Sequence, residues 1–277
     1  MRDRIPALDG VRAIAILMVI FDHLVNALSQ RQHFEIPGWS LLGQPGVIIF
    51  FILSGYLITS RLKAEYESTG AIDLKRFYVR RFFRLMPAAW AFLALIWICH
   101  PSLSVREIQS AVLFYRNYYR GNVLTAHFWS LSIEEQFYLV WPCVLMLAGF
   151  KRAQWVALAG IAGIGLWRST HLEHFSIVGH GYWTQYRADA LFVGCWLGLR
   201  GVPSFGRFGE FAAQVLSWRP LVWIGGLSYS LYLWQEAFAF SVTDVWSVIP
   251  AVVSMFLMAS ISHYLIEKPM ITFGKNV

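Results

Sequence analysis

The feature that most constrains this chain is a series of apolar runs, several of them long enough to cross the hydrocarbon core of a bilayer. That core is about 30 Å thick, so a crossing helix needs roughly 20 apolar residues. The sequence predicts eight spans, at residues 10–28, 43–62, 84–100, 128–149, 153–168, 187–200, 220–242 and 248–266. It also predicts an amphipathic membrane-edge helix over 105–116. The expected fold class is therefore all-α: a polytopic membrane helix bundle that forms one domain over residues 1–277.

Composition agrees with a membrane protein and argues against a soluble domain. Hydrophobic residues make up 57% of the chain and charged residues 14%, against about 25% charged residues in soluble domains. The net charge of +7 could suggest a nucleic-acid partner in a soluble protein. In this chain we assign it to cytoplasmic loops and an anionic ligand or lipid, and expect no nucleic acid. Three cysteines in or beside apolar runs do not suggest a disulfide framework.

The distribution of positive charge predicts an orientation. With the N-terminus in the cytoplasm, 17 of the 23 Lys and Arg residues fall on the cytoplasmic side, as the positive-inside rule requires. An even number of spans then returns the C-terminus to the same side. Arg2 and Arg4 precede the first apolar run, but no small-residue cleavage site follows it, so we expect this span to be retained.

Ionisable residues inside the first span are the first candidates for chemistry, because such groups are costly in a membrane. The span holds Arg12, Asp22 and His23. Eleven residues make nearly three helical turns, which places Arg12 and His23 on one face, about 16 Å apart. A cation there can hold an anionic donor, while the imidazole moves a proton. The alternative, equally open on spacing alone, is a buried histidine bonded to a neighbouring helix carbonyl.

A basic segment at 73–87 is the second candidate. It carries five cations: Lys75, Arg76, Arg80, Arg81 and Arg84. Arg81 and Arg84 lie one helical turn apart, and paired guanidinium groups suit phosphate or pyrophosphate. The alternative, which composition alone favours, is a juxtamembrane basic collar on anionic lipid.

The third candidate is Glu134, in the segment 127–142. A carboxylate there could orient an imidazole or match its charge. The alternative is an acidic pair at a helix start, where Ser132 and Glu135 have the spacing of a capping box.

Two polar or aromatic groups near later spans are weaker candidates. Arg187 and Asp189 head the sixth span, where an ion pair with another helix is the simpler explanation. Tyr232 and Trp234 could line a cavity or belong to an interfacial aromatic belt.

The longest predicted non-cytoplasmic loop, 169–186, is rich in histidine and aromatic residues and suits an acceptor-binding loop or lid. Its histidines, His171, His174 and His180, fit no zinc spacing and lack cysteine partners. We therefore expect no metal.

Six segments together resemble the acyltransferase-3 family of membrane acyltransferases. In chain order they are IPALDGVRAIAILMVIFDHL (5–24), IFFILSGYLITSRL (49–62), FYVRRFFRLMPA (77–88), HFWSLSIEEQFYLVWP (127–142), GLSYSLYLWQ (226–235) and LIEKP (265–269). The resemblance implies a single membrane acyltransferase domain that moves an acyl group from cytoplasmic acyl-CoA to a hydroxyl of a carbohydrate or other cell-envelope acceptor. It also implies location in the bacterial inner membrane. Acetyl is the default acyl group because it is small and common.

The resemblance also assigns roles by residue. The family's arginine and histidine of the first span match Arg12 and His23, its Arg-x-x-Arg element matches Arg81 and Arg84, and its acidic WSL element matches Glu134. The expected catalytic residues are His23 and Glu134. The expected acyl-CoA-binding residues are Arg12, Lys75, Arg76, Arg80, Arg81 and Arg84, and the expected substrate-binding residues are Asp22, Arg187, Asp189, Tyr232, Trp234 and Gln235.

Two departures from the family pattern keep other functions open. Members usually have about ten spans, and a helix pair is missing before residues 225–238. Many members have His after the YLW triplet, where this chain has Gln235, which cannot take up a proton. The alternatives are a transporter or flippase with a proton relay, and an inactive scaffold.

Overall fold

Helices dominate the computed structural model, which describes residues 5–32, 42–171, 182–202 and 206–277, apart from the Phe208 side chain. No strand occurs within those ranges, which confirms the all-α class. The α-helices are α1 (Pro6–Gln32), α2 (Gly43–Thr69), α3 (Leu74–Cys99), α4 (Val105–Val112), α5 (Phe128–Thr170), α6 (Thr184–Arg187), α7 (Asp189–Arg200), α8 (Gly206–Leu216), α9 (Arg219–Ala239), α10 (Val245–Ser262) and α11 (Lys268–Asn276). Two 3₁₀ turns, Arg116–Tyr118 and Val123–Thr125, precede α5.

Several of these helices suit a bilayer. The stretches long and apolar enough to cross one are Pro6–Gln32, Gly43–Thr69, Leu74–Cys99, Val123–Thr170 and Val245–Asn276. The chain is therefore a multi-pass membrane protein. The predicted spans at 187–200 and 220–242 correspond to α7 and α9, which are not among the five. The count of eight spans and the cytoplasmic placement of both termini stay predictions.

The fourth and fifth predicted spans lie on either side of a break in α5. Gly149 interrupts the helix there with φ 72° and ψ 159°. This left-handed φ is readily adopted only by glycine, so the position of Gly149 determines where α5 is interrupted.

One compact unit comprises Met1–Phe50, Tyr78–Ile98 and Ser204–Val277. Its centre is the packing of α1 against α9, with α8 also against α1. The helices approach closely because Gly225 and Gly10 have no side chain. A side chain at Gly225 would overlap the carbonyl oxygen of Asp9, and one at Gly10 would overlap that of Leu216. Small residues permit such backbone contact between membrane helices.

The end of this unit contains a π-helical turn, His263–Glu267, between α10 and α11. Glu267 is buried, and its Oε2 lies 2.9 Å from both the Ser230 hydroxyl and His263 Nδ1. Beyond the turn, Gly274 of α11 packs against the ring of Phe83.

The other compact unit comprises Phe51–Phe77 and Cys99–Pro203. Here α7 packs against α5 and the later part of α2. Gly55 faces the backbone of α7, and Gly194 faces the backbone of α2. Trp141 of α5 also donates a 2.8 Å hydrogen bond to the hydroxyl of Thr59. The prediction of a single domain stays a prediction.

The predicted amphipathic helix at 105–116 exists as α4 but ends at Val112, and Phe114 has a left-handed φ of 53°. Its first turn is closed by a capping box between Ser104 and Glu107. Glu107 also accepts the backbone N–H of Asn122, which ties the helix to the following loop.

This network controls the charge of Glu107. Burial by itself raises the pKa of Glu107, but hydrogen bonds from the backbone of Asn122, from the backbone and hydroxyl of Ser104, and the charge of Arg116 outweigh it. The pKa of Glu107 is therefore held below its usual 4.5. Because the folded pKa is depressed, the stabilisation is complete above about 4.5 and is lost as the pH falls through the folded value.

We expect Glu107→Gln to lower the free energy of unfolding by about 1–3 kcal/mol near pH 7. The glutamine NH₂ group would face the amides of Ser104 and Asn122, which themselves donate hydrogen bonds to the carboxylate. Thermal unfolding in detergent, followed from pH 7 to pH 3, should show the midpoints of wild type and variant converging below pH 4.5. Glu67→Gln, at an exposed carboxylate, is the control. A gap that stays constant across this pH range would contradict the assignment.

Candidate active site

The imidazole of His23 is the starting point, because α1 places it inside an apolar helix. Arg12 lies eleven residues earlier on the same helix face, about 16 Å away along the axis. Arg12 is 3.4 Å from Asp9, a pairing within the first turns of α1. The helix thus carries a guanidinium near its start and an imidazole near its far end.

The imidazole turns toward α9 and contacts two consecutive residues of that helix. Its Nδ1 is hydrogen-bonded to Oε1 of Gln235. Its Nε2 lies 3.9 Å from Oε1 of Glu236. Gln235 is fully buried, and Glu236 is 6% exposed. The ring therefore has a polar partner on each nitrogen-bearing edge.

The hydrogen bond to Gln235 selects a state of the ring. An amide oxygen only accepts, so with this oxygen toward the ring Nδ1 carries the proton and donates it. The neutral ring then has its lone pair on Nε2, which can accept a proton. This arrangement is suited to a general base whose reactive nitrogen is Nε2.

Sequence reasoning missed Glu236. The signal was available, since an ionisable residue in an apolar helix needs a partner. Its position directly after Gln235 gave no indication that both side chains reach one ring, because consecutive residues diverge by about 100° around a helix.

Two buried donors lie on the same stretch of α9. Trp234 Nε1 and Gln235 Nε2 have no hydrogen-bond partner within the part of the chain that the structure describes. The ring of Trp234 packs edge-on against Phe92, and the ring of Tyr232 against Phe50. Tyr232 and Trp234 are each 7% exposed, so neither belongs to an exposed interfacial belt.

Asp22 has a structural role at the start of α2. Its carboxylate faces the backbone amides of Leu42 and Gly43, and Asn26 donates to Oδ2 at 3.0 Å. Oδ1 has no hydrogen-bond partner within the described residues. A carboxylate at a helix N-terminus is favoured by the helix dipole. These contacts give Asp22 a structural role, and its expected role in substrate binding stays a prediction.

The five cations of the basic segment all lie on α3, which begins at Leu74 and not at residue 84 as predicted. The helix therefore begins nearly three turns before its apolar part, because charged residues do not interrupt a helix where solvent reaches them. Arg81 and Arg84 are half-buried, whereas Lys75, Arg76 and Arg80 are exposed. Arg81 and Arg84 are separated by one turn, as the spacing required.

Glu134 lies near the start of α5, where the hydroxyl of Ser54 donates to its Oε1 at 2.8 Å. The expected orientation of His23 by Glu134 stays a prediction. The expected capping box of Ser132 and Glu135 is wrong, because α5 begins at Phe128. Ser132 is already inside the helix, and its hydroxyl bonds to the carbonyl of Phe128 at 2.8 Å.

Arg187 and Asp189 have different surroundings. Asp189 pairs with Arg168 of α5 at 2.7 Å, which supports the simpler ion-pair explanation. The guanidinium carbon of Arg187 lies 5.8 Å from the ring centre of Trp129. Tyr182 packs on the same Trp129 ring, at 4.7 Å between centroids.

A polar network supports these aromatic residues. Gln136 donates to Asn117 at 3.0 Å and accepts from Thr184 at 2.6 Å. Tyr118 and Trp183 lie beside this network with their rings 5.8 Å apart. We call the group Tyr118, Trp129, Tyr182, Trp183 and Arg187 the aromatic cluster. The sequence suggested an acceptor-binding loop over 169–186, of which residues 172–181 lie outside the described chain.

Metal ligation was not expected. His174 and His180 lie outside the described residues, and His171 stacks on Trp167. Among the residues that the structure describes, no three His, Cys, Asp or Glu side chains come together as a metal site.

We expect Asp22→Ala to destabilise the protein by about 1–2 kcal/mol, since it removes a buried carboxylate that faces the backbone amides at the start of α2. Thermal unfolding in detergent measures the effect. Asp73→Ala is the matched comparison, because Asp73 caps α3 through the Arg76 amide at an exposed position. Its loss should be smaller, since water replaces the carboxylate. Equal losses would contradict the buried capping role of Asp22.

Comparison of the sequence with known proteins identifies the family to which the chain belongs. A family model described as an acyltransferase domain matches residues 5–201. The chain is 28% identical to the peptidoglycan O-acetyltransferase OatA of Listeria monocytogenes, over 97% of this chain and 56% of that protein. It is 30% identical to the O-acetyltransferase OatA of Staphylococcus aureus, over 96% of this chain and 57% of that protein. No solved structure matches the chain.

The chain spans little more than half the length of these curated relatives. The alignment with the Listeria protein covers 359 positions, whereas this chain has 277 residues. The relative therefore carries internal residues that this chain lacks, in line with the expected shortening.

Proposed function

Since the chain belongs to the acyltransferase-3 family, we propose that it is a membrane O-acyltransferase. It moves an acyl group, with acetyl as the default, from cytoplasmic acyl-CoA to a hydroxyl of a cell-envelope carbohydrate, in a bacterial inner membrane. The observation that carries the proposal is the imidazole of His23, whose Nδ1 is hydrogen-bonded to Gln235. The names of the two relatives support acetyl as the acyl group, and the Listeria name supports peptidoglycan as the acceptor.

The chemistry needs one base. The acceptor hydroxyl gives its proton to His23 Nε2 as its oxygen attacks the thioester carbonyl carbon. A carbon–oxygen bond forms, the carbon–sulfur bond breaks, and the CoA thiolate takes the proton from His23. The products are an ester and free CoA, and the imidazole returns to its starting state. Positioned general-base catalysis of this kind contributes typically about 10²–10⁴ in rate.

The donor's phosphates suit the basic start of α3. Half-buried guanidinium groups lose less entropy on binding than fully exposed ones and present paired donors to phosphate oxygens. Arg81 and Arg84 meet this description, and exposed Lys75, Arg76 and Arg80 add positive charge. Arg12 completes the set on α1.

The acceptor's sugar rings suit the aromatic cluster. Partly exposed aromatic faces bind the apolar faces of sugars, and a few fixed amides and hydroxyls give orientation. Trp129, Tyr182 and Trp183 are half-buried, and Tyr118 is 47% exposed. Tyr182 and Trp183 belong to the loop 169–186, whose aromatic content already suggested that it binds the acceptor.

The test uses purified protein in nanodiscs with labelled acetyl-CoA and a soluble glycan acceptor, with the product identified by mass spectrometry. Wild type should form a labelled ester and free CoA in equal amounts. We expect His23→Gln to lower kcat by about 10²–10⁴, because only the base is lost. His100→Gln, at an exposed histidine outside the site, is the control.

A His23→Gln protein that is folded and transfers at the wild-type rate would overturn the assignment of the base. A wild type that moves a solute into sealed proteoliposomes without consuming acetyl-CoA would show a transporter instead. A folded wild type that binds no acyl-CoA would indicate a scaffold.

We expect the double variant Arg81→Gln/Arg84→Gln to raise the KM for acyl-CoA by about tenfold or more, with a smaller change in kcat. Two charge-assisted contacts to phosphate are removed, each worth about 1.5–3 kcal/mol at most. The control Arg207→Gln/Lys275→Gln removes the same charge from exposed positions of α8 and α11. Equal changes in KM for both double variants would indicate only a general effect of positive charge.

A further inference from the structure

We propose that Glu236 is a positioning residue for the transfer reaction: its carboxylate stabilises the imidazolium that His23 becomes on accepting the proton. The inference rests on the proposed function and adds a group to its machinery.

The geometry comes first. Gln235 and Glu236 are consecutive on α9, yet they reach opposite nitrogen-bearing edges of one ring. Gln235 holds Nδ1, which leaves Nε2 facing Glu236 Oε1 at 3.9 Å. That separation is too long for a hydrogen bond and short enough for an ion pair.

Burial gives the pairing its effect. Glu236 is 6% exposed and Gln235 is fully buried, whereas the His23 side chain is 31% exposed. The carboxylate end of the contact is therefore weakly screened by water, and the ring stays open on one side. The attraction between the carboxylate and the ring is small while the ring is neutral and large once Nε2 is protonated. An interaction that strengthens as the proton moves lowers the barrier more than it strengthens binding of the starting state.

The sequence of α9 explains why this chain uses Glu236. Gln235, the residue after the YLW triplet, cannot accept a proton. Glu236 places an ionisable side chain one residue further along, against the same ring. Helix α9 thus supplies His23 with one neutral partner, Gln235, and one ionisable partner, Glu236.

The carboxylate changes no bonds in this scheme. The hydroxyl proton passes to Nε2 and then to the thiolate, while Glu236 remains ionised throughout. It is therefore a group that acts through His23 and does not replace it as the base.

The experiment measures transfer to a soluble glycan acceptor from labelled acetyl-CoA with wild type, Glu236→Gln and the control Glu210→Gln, an exposed carboxylate on α8. We expect Glu236→Gln to lower kcat about tenfold to hundredfold, with the KM for each substrate within about twofold of wild type. In a His23→Ala background, Glu236→Gln should cause no further loss, since a group that acts through the imidazole has nothing left to act on.

Three results would overturn the inference: an unchanged kcat, a raised KM at unchanged kcat, or a further full loss in the His23→Ala background. If Glu236→Gln fails to fold, the pair Glu236→Asp and Glu236→Asn, matched in size, repeats the comparison, and equal rates overturn the inference. Absence of transfer by folded wild type would overturn the proposed function itself, so the two failures are distinguishable.

Discussion

The cost of placing an ionisable side chain among apolar membrane helices determines the organisation of this protein. Such a group is stable only where another polar group faces it, and Asp22, His23 and Glu267 each have such a partner. Asp22 meets the amides at the start of α2. His23 meets Gln235 and Glu236. Glu267 meets Ser230 and His263. Polar contacts thereby determine which helix faces meet, because shape alone would allow other rotations of an apolar helix.

Close backbone packing supplies the precision that the polar contacts need. Gly10 and Gly225 let α1 approach its neighbours α8 and α9 without side chains between the backbones. Because α1 and α9 are held at this distance, a histidine on one and an amide on the other meet directly. A larger residue at either glycine would separate the helices and lengthen the contact on which the proposed base depends.

Helical periodicity made part of the site predictable. The shared face of Arg12 and His23, and that of Arg81 and Arg84, follow from local spacing, and α1 and α3 have those residues on continuous helices. The partner of His23 was harder to predict, because 212 positions separate it from Gln235 and no local rule links them. The Ser132 cap was misjudged because α5 begins at Phe128, one turn before Ser132.

The π turn at His263–Glu267 constrains the length of the last segment of the chain. Each residue advances a helix by about 100°, so losing or gaining one residue in the turn would rotate α11 by more than a quarter revolution. That rotation would carry Gly274 away from the ring of Phe83 and bring a larger side chain into the same narrow space. Substitutions are therefore tolerated more readily than insertions or deletions in these few positions, and sequence comparisons of related chains should treat this stretch as a fixed spacer.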